Sequence, residues 1–159
     1  MGKRAWRDLE GCGARAVPHQ FTTNDITAVI GVAGQLKGNV LYEFSDDTAR
    51  AVASAMMGEP LVELDAIALS AIGELANMIT GNAATLLAGA GFVCDISPPV
   101  LLNPKGAEIT LPAGNQIEVT FTSTFGTFNI RIGLAESDIK SARIAAQLTD
   151  APAPLSSRR

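Results

Sequence analysis

Hydrophobic residues recur along this chain with two periods, one typical of helices and one typical of strands. The clearest helical period runs from Glu63 to Gly91, where apolar residues return at steps of three and four. They form a broad stripe of Ala68, Leu69, Ile72, Leu75, Ala76, Ile79, Ala83, Leu86 and Leu87. Asp65 suits the N-cap, and Gly89 and Gly91 suit the end. The pattern predicts one long central helix whose stripe faces a core.

A second, shorter helical pattern runs from Asp47 to Met57. Ser45 or Asp46 can cap its start, and Gly58 is suited to its end. Its inward-facing residues are predicted to be Ala51, Val52, Ala55 and Met56. We interpret this helix as part of the scaffold around the core.

The apolar period changes to two in the stretches that we predict to be strands. Ile26–Gly34 and Asn39–Phe44 are rich in β-branched and apolar residues and are separated by a short turn, which predicts a hairpin. Phe92–Ser97 and Val100–Leu102 are predicted to form one strand interrupted by two consecutive prolines. Because proline lacks the backbone donor, the ladder should bend or end there.

The most regular alternation lies within residues 117–132. Ile117, Val119, Phe121, Phe128, Ile130 and Ile132 are predicted to share one face, whereas Glu118, Thr120, Thr122, Asn129 and Arg131 lie on the other, with Asn129 and Arg131 outside. This pattern predicts a half-buried antiparallel hairpin. Together these elements predict an α/β fold of the α+β type, with a mainly antiparallel sheet packed against the long central helix.

The pattern also divides the chain into three parts. Residues 1–24 show no clear period, so we expect a loosely ordered lead. Residues 25–135 hold the predicted strands and helices and form the predicted domain. In residues 136–159, Ser137 is a candidate cap for a short helix, Asp138–Leu148, which a disordered tail would follow.

Composition excludes several classes of function. The length of 159 residues fits one domain, and a net charge of −4 without a basic cluster away from the ends argues against nucleic acid. We expect no membrane span and no signal peptide, because no uncharged run has the required length and hydrophobicity. Cys12, Cys94 and the single His19 are too scattered for a metal centre or a disulfide framework. A cytoplasmic location fits this chemistry.

The predicted outer face of the central helix carries unusually few charges. Ser70, Glu74, Asn77 and Gly81 fall together opposite the apolar stripe, and Glu74 is the only charged residue within 66–94. An exposed helix face usually carries several charged residues. Small residues such as Gly73 leave Glu74 and Asn77 on a flat surface, where side chains three apart can reach one target. The alternative is that this Glu is an exposed residue without a specific function and that this Asn is a poor helix former that the helix tolerates.

The same face lacks the parts of a self-sufficient active site. The sequence offers no nucleophile with an adjacent base, no phosphate-binding GxxxxGK loop and no second carboxylate on that face. An amide can still accelerate phosphoryl hydrolysis when a second protein supplies the other groups, because positioning and charge stabilisation do much of the work. The face therefore suits action on a protein partner.

The run Ser70-x-x-x-Glu74-x-x-Asn77, followed downstream by Pro98 and Pro99, resembles the signature of the CheC and CheX chemotaxis phosphatases. The resemblance covers residues 25–134. A single copy of the motif is similar to CheX rather than to CheC. The resemblance implies a phosphatase domain that acts in chemotaxis or two-component signalling.

In that family, the partner is a phosphorylated CheY-like response regulator with an aspartyl phosphate, a Lys and a bound Mg²⁺, so the chain needs no cofactor of its own. The resemblance implies that Asn77 orients the attacking water and that Glu74 pairs with the partner's Lys. Ser70, Gly73 and Gly81 would contact the partner, and no residue would bind metal. The competing hypothesis is a non-catalytic module that binds a response regulator or scaffolds a signalling complex.

A homodimer is also expected. CheX relatives are dimeric, and the strand Ile26–Gly34 is long, apolar and poorly guarded by charge. Such a strand is a liability at a sheet edge unless a partner or a helix covers it.

Overall fold

The computed structural model of the chain describes residues 10–23, 25–103, 106–112 and 114–138. These ranges contain nine strands and two helices. In chain order they are β1 (Glu10–Val17), β2 (Gln20–Thr22), β3 (Ile26–Gly34), β4 (Leu36–Phe44), α1 (Asp46–Met57), α2 (Ala66–Gly89), β5 (Cys94–Ile96), β6 (Val100–Leu102), β7 (Glu108–Thr110), β8 (Gln116–Ser123) and β9 (Gly126–Glu136). The predicted α+β class is confirmed.

Seven strands form one antiparallel sheet in the order β1-β8-β9-β4-β3-β5, with β6 also paired to β3. The two predicted hairpins are confirmed as β3–β4 and β8–β9. The two prolines do interrupt a strand, since β5 pairs with residues 32–34 of β3 and β6 pairs with residues 27–29. β3 is therefore paired on both sides by strands of this chain, so the liability of an uncovered sheet edge does not arise for it.

Both helices begin at side-chain caps that the sequence indicates. The Ser45 side chain accepts a hydrogen bond from the Thr48 backbone N–H, and the Asp65 side chain accepts one from Ala68 at 2.8 Å. Each cap satisfies one of the donors that a helix start leaves without a partner. Gly58 ends α1 with a positive φ of 75°, a conformation that suits glycine.

The core lies between the two helices and one face of the sheet. Its largest fully buried side chains on that side are Ile26, Ile30, Tyr42, Phe44 and Ile72. The ring of Phe128 stacks on Phe44 at 5.1 Å and on Phe121 at 5.5 Å between centroids. The predicted apolar stripe of α2 is buried at Leu75 and Ala76, but Leu86 near the end of the helix is 78% exposed. Within the described ranges, no helix is both long and apolar enough to cross a membrane.

The other face of the sheet is also covered, which corrects the prediction for Arg131. This residue was expected outside but is only 6% exposed, and its guanidinium donates to Glu118 at 2.9 Å. The guanidinium also lies 3.9 Å from the centroid of the Phe21 ring and donates to the carbonyl of Pro18. The segment that contains β2, which pairs with β7 in a separate two-stranded sheet, thus packs over this face.

The ends of the chain differ from the expected division. Residues 10–17 pair with β8 and residues 20–22 with β7, so the prediction of a loosely ordered lead is wrong for these stretches of residues 1–24. β9 extends to Glu136 at the boundary of the predicted domain. The predicted helix Asp138–Leu148 and the tail lie almost entirely outside the described residues.

Candidate functional site

The N-terminal two thirds of α2 present the predicted motif. Ser70 and Glu74 are exposed and Asn77 is half-buried, all on the side of the helix away from Ile72 and Leu75. Within the described part of the chain, neither Glu74 nor Asn77 makes a side-chain hydrogen bond or an ion pair. The carboxylate and the amide are therefore available to a partner. The Ser70 hydroxyl, in contrast, donates to the Ala66 carbonyl at 2.9 Å.

Gly73 has a different role from the one expected of it. It is buried, and a Cβ at this position would lie 2.9 Å from Leu101 Cδ2 and 3.3 Å from Pro99 Cγ. The missing side chain lets the segment around Pro99 pack directly on α2 beside Glu74. Gly73 therefore allows the proline segment to pack against α2. The prediction that it belongs to the partner-binding surface is not supported.

The proline segment is anchored to the sheet by Ser97. Its hydroxyl oxygen accepts from the Gly31 backbone N–H at 2.8 Å, and the hydroxyl donates to the Pro98 carbonyl at 3.1 Å. Pro98 is exposed and Pro99 is half-buried. The downstream prolines of the motif are thus held next to the helix that carries its Glu and Asn.

Gly81 lies at the flank of this surface. It is half-buried, and a Cβ there would be 3.9 Å from Ile96 Cδ1, an ordinary van der Waals distance. The open part of the predicted site is therefore narrower than expected and centres on Ser70, Glu74 and Asn77.

Exposed apolar side chains on α2 and β6 were not predicted as part of the site. Ile67 is 66% exposed, Met78 is 53% exposed and Val100 is 57% exposed. Ile67 precedes Glu74 by two helical turns and Met78 follows it by one, so both share its face. A helical wheel contains this signal, because both residues fall outside the buried stripe. These residues add apolar surface beside the exposed carboxylate of Glu74.

The arrangement offers one carboxylate and one amide on an otherwise uncharged surface. In the part of the chain that the structure describes, no three His, Cys, Asp or Glu side chains come together as metal ligands. The groups can dock a cation and hold a water or a phosphoryl oxygen by hydrogen bonding. This chemistry assists a reaction whose reactive groups lie on another molecule.

Comparison with known proteins points the same way. A family model described as chemotaxis phosphatase CheX matches residues 26–122. A CheY-P phosphatase CheX from Thermotoga maritima is 43% identical over 94 residues, which cover 58% of this chain and 57% of that protein. The chain thus spans a little over half the length of this curated relative.

Solved structures share the fold over most of the chain. CheX from Vibrio vulnificus superimposes with a TM-score of 0.74 at 29% identity, covering 84% of this chain and 89% of that one. The CheX of a CheX–CheY–BeF₃–Mg²⁺ complex from Borrelia burgdorferi gives 0.70 at 23% identity, with 82% and 86% covered. At this identity, the second likeness concerns the fold alone.

Proposed function

This chain belongs to the CheX chemotaxis phosphatase family, and we propose that it hydrolyses the aspartyl phosphate of a CheY-like response regulator. The observation that carries the proposal is the pair of Glu74 and Asn77, which lie three residues apart on an otherwise uncharged face of α2 and have no partners among the described residues. The name of the Thermotoga maritima relative, CheY-P phosphatase, supports it. The Borrelia burgdorferi complex shows that a protein of this fold can bind CheY.

In this mechanism Asn77 supplies the catalytic amide. Phosphoryl transfer depends largely on positioning and on electrostatic stabilisation, and an amide that orients the attacking water contributes to both. Asn77 would hold the water in line with phosphorus through its side-chain oxygen or nitrogen. Because Asn77 is half-buried within α2, its side chain has fewer accessible positions than that of a fully exposed residue.

Glu74 is assigned to docking. It is the only charge within residues 66–94, so a cation on the partner meets no competing carboxylate from that stretch. We assign it to the Lys of the regulator's phosphorylation site, with Ser70 at the rim of the contact. The regulator supplies the Mg²⁺, which neutralises phosphoryl charge, and this chain brings no cofactor.

The exposed apolar residues around the pair fit the same proposal. Ile67, Met78 and Val100 would lose water as the regulator docks, which favours association. The packing of Pro99 against Gly73 keeps the surface flat enough for close approach.

A binding module without hydrolysis is the competing function. The experiment that separates the two measures phosphate release from a panel of phosphorylated CheY-like regulators, with and without the protein. Faster release with one regulator supports the phosphatase. Binding to a regulator without any change in its dephosphorylation rate would contradict it.

We also propose that the protein forms a homodimer and that it is located in the cytoplasm. The pairing of β3 with β5 and β6 removes the edge-strand argument for dimerisation. The expectation now rests on the resemblance to CheX proteins.

A further inference from the structure

A cavity lies on the face of the sheet opposite the helices, where the proposed phosphatase mechanism uses no residue. Its volume is about 370 Å³, a size typical of pockets for small organic molecules. The sheet contributes Lys37 and Asn39 of β4, Gln116 of β8 and Gly133 of β9 to its lining. Leu111 lines it from the layer of β2 and β7, where its backbone N–H donates to the His19 carbonyl at 2.9 Å.

The Gln116 side chain is buried in the wall of this cavity without a hydrogen-bond partner. Gln116 is only 5% exposed, and its amide oxygen meets no donor in the described part of the chain. The absence of a side chain at Gly133 makes this position possible, because a Cβ there would overlap the Gln116 amide. A buried polar group that has no partner lowers the stability of a fold. A ligand that hydrogen-bonds to this amide therefore supplies an interaction that the fold leaves open.

Lys37 gives the cavity a positive charge. Its side chain is exposed, and it carries the only charge among the described residues of the lining. No ion pair or hydrogen bond holds its ammonium group within the described ranges. The carboxylate of Glu118, two residues from Gln116 on β8, is already paired with Arg131 and Arg15. The field in the cavity therefore favours an anion.

The ammonium group and the buried amide can hold opposite ends of one small molecule. Lys37 pairs with Ala135 of β9, and Gln116 lies over Gly133 of the same strand. Two strand spacings of about 4.8 Å and two residues of about 3.3 Å place the Cα atoms of Lys37 and Gln116 about 12 Å apart. Both side chains are long and line the same cavity, so the gap between their polar groups is shorter. Leu111, which is 7% exposed, adds an apolar wall.

We propose that this cavity binds a small organic carboxylate with an apolar body and a hydroxyl group at the end opposite the carboxylate. Lys37 and Asn39 bind the carboxylate, and the hydroxyl pairs with the Gln116 amide. A hydroxyl can donate to the amide oxygen or accept from the amide nitrogen, so it suits both orientations of the amide. This inference is independent of the proposed hydrolysis, because α2 lies on the other side of the sheet.

The first test uses 4-hydroxybenzoate as the probe and the unmodified full-length chain. In a titration followed by ¹H–¹⁵N correlation spectra, the backbone amides of Gly38, Asn39 and Gly133 should shift and saturate. Benzoate lacks the hydroxyl and 4-hydroxybenzyl alcohol lacks the charge, so each should bind about fivefold more weakly. Equal affinity for the three compounds, or no saturable shift at these amides, would overturn the proposal.

The second test removes the amide from the cavity. Gln116→Leu should raise the dissociation constant of 4-hydroxybenzoate about fivefold and leave that of benzoate unchanged. Its stability to urea should equal or exceed that of the parent, because the buried amide has no partner to lose. Gln20→Leu is the control, since Gln20 is exposed on β2 and does not line the cavity, and it should bind both acids as the parent does.

Lys37→Gln removes the charge and should weaken the binding of both acids about fivefold without changing that of 4-hydroxybenzyl alcohol. Together the two variants assign one end of the probe to each group. Unchanged binding of 4-hydroxybenzoate to Gln116→Leu would contradict the assignment of the hydroxyl. An equal loss for benzoate in that variant would contradict it as well.

Discussion

Asn77 is the residue on which the proposed hydrolysis depends. Its amide has no partner within the described residues and lies one turn from the exposed Glu74. Replacement by Ala should lower the single-turnover dephosphorylation rate by roughly 10²–10³, by analogy with the loss of one oriented donor in an oxyanion hole. Affinity for the regulator should change little, because the contact acts mainly in the transition state.

Asn82→Ala is the matched control for this variant, since Asn82 is an exposed Asn on the same helix. It should retain the parent rate. Asn77→Asp should be slow because it places negative charge beside a phosphoryl group, whereas Asn77→Gln keeps the amide on a longer arm. An Asn77→Ala protein as fast as its parent would contradict the mechanism and favour the binding module.

Glu74 should act on docking rather than on turnover. Exposed ion pairs contribute about 0.2–1 kcal/mol, so Glu74→Gln should weaken binding by up to about fivefold. Binding should also become less sensitive to salt, because the screened interaction is gone. Titration of a phosphorylated regulator at two ionic strengths measures both effects. Glu63→Gln, an exposed change just before α2, should leave affinity and salt dependence as in the parent.

The buried carboxylates of Glu43 and Glu118, on the face of the sheet opposite the helices, predict a pH dependence of stability. Desolvation raises the pKa of Glu43 above its usual range, Arg131 opposes this shift and Glu118 adds to it. Because the folded-state pKa is the higher one, the favourable contribution of Glu43 is fully present below the unfolded value of about 4.3 and is lost as pH rises through the folded value. The free energy of unfolding of Glu43→Gln, taken relative to that of the parent, should therefore be higher at neutral pH than near pH 4.

Urea unfolding of both proteins at the two pH values measures this difference. Glu59→Gln, which removes an exposed carboxylate, is the control and should show little pH-dependent difference from the parent. A Glu43→Gln advantage that is equal at both pH values would contradict the assignment.

The same residues show what sequence patterns can and cannot predict. Alternation correctly separates the two faces of β8 and β9, because side chains of a strand alternate strictly. It cannot tell whether the polar face meets water or a second layer of the protein. Arg131 was therefore expected outside, although the β2 segment buries it over Glu118.

At the scale of elements, the fit of the proline segment on α2 predicts the effect of filling Gly73. A Cβ there would lie 2.9 Å from Leu101 Cδ2 and 3.3 Å from Pro99 Cγ, so Gly73→Ala requires the Leu101 side chain to move and the more rigid Pro99 ring to shift by a few tenths of an ångström. Overpacking costs about 1–3 kcal/mol, which exceeds the gain of about 1 kcal/mol from better helix propensity. We expect lower stability to urea and slower dephosphorylation.

Gly89→Ala is the control on the same helix, because a Cβ added there would meet no atom of the described residues within 4 Å. It should leave stability unchanged or slightly raised. A Gly73→Ala protein as stable and active as the parent would show that the segment adapts without consequence for the site.

Elements with strong local signals were predicted well, whereas those defined by tertiary pairing were not. The side-chain caps and apolar stripes located α1 and α2 to within a few residues. β1 was missed because its sequence, EGCGARAV, has no apolar alternation and its strand forms through pairing with β8, with a register shift between Gly11 and Ala14. The exposure of Leu86 was missed because periodicity does not show how far a sheet extends beneath a helix.

At the scale of the whole molecule, the sheet pairing changes what the expected dimer requires. β3 is paired with β4 on one side and with β5 and β6 on the other. Dimerisation is therefore not needed to satisfy the backbone of β3. A chain that satisfies its central strands by itself should fold before it associates.

This reasoning predicts a dimer that dissociates without unfolding. Light scattering at micromolar concentration should give the mass of two chains, and dilution should lower it toward one chain by mass action while the far-ultraviolet circular dichroism stays constant. An obligate dimer would behave differently, because its monomer has no stable fold and the spectrum would change with the mass. A mass of one chain at micromolar concentration would contradict the homodimer. Loss of helical signal on dilution would instead contradict independent folding of the chain and show that the described core is completed only by its partner.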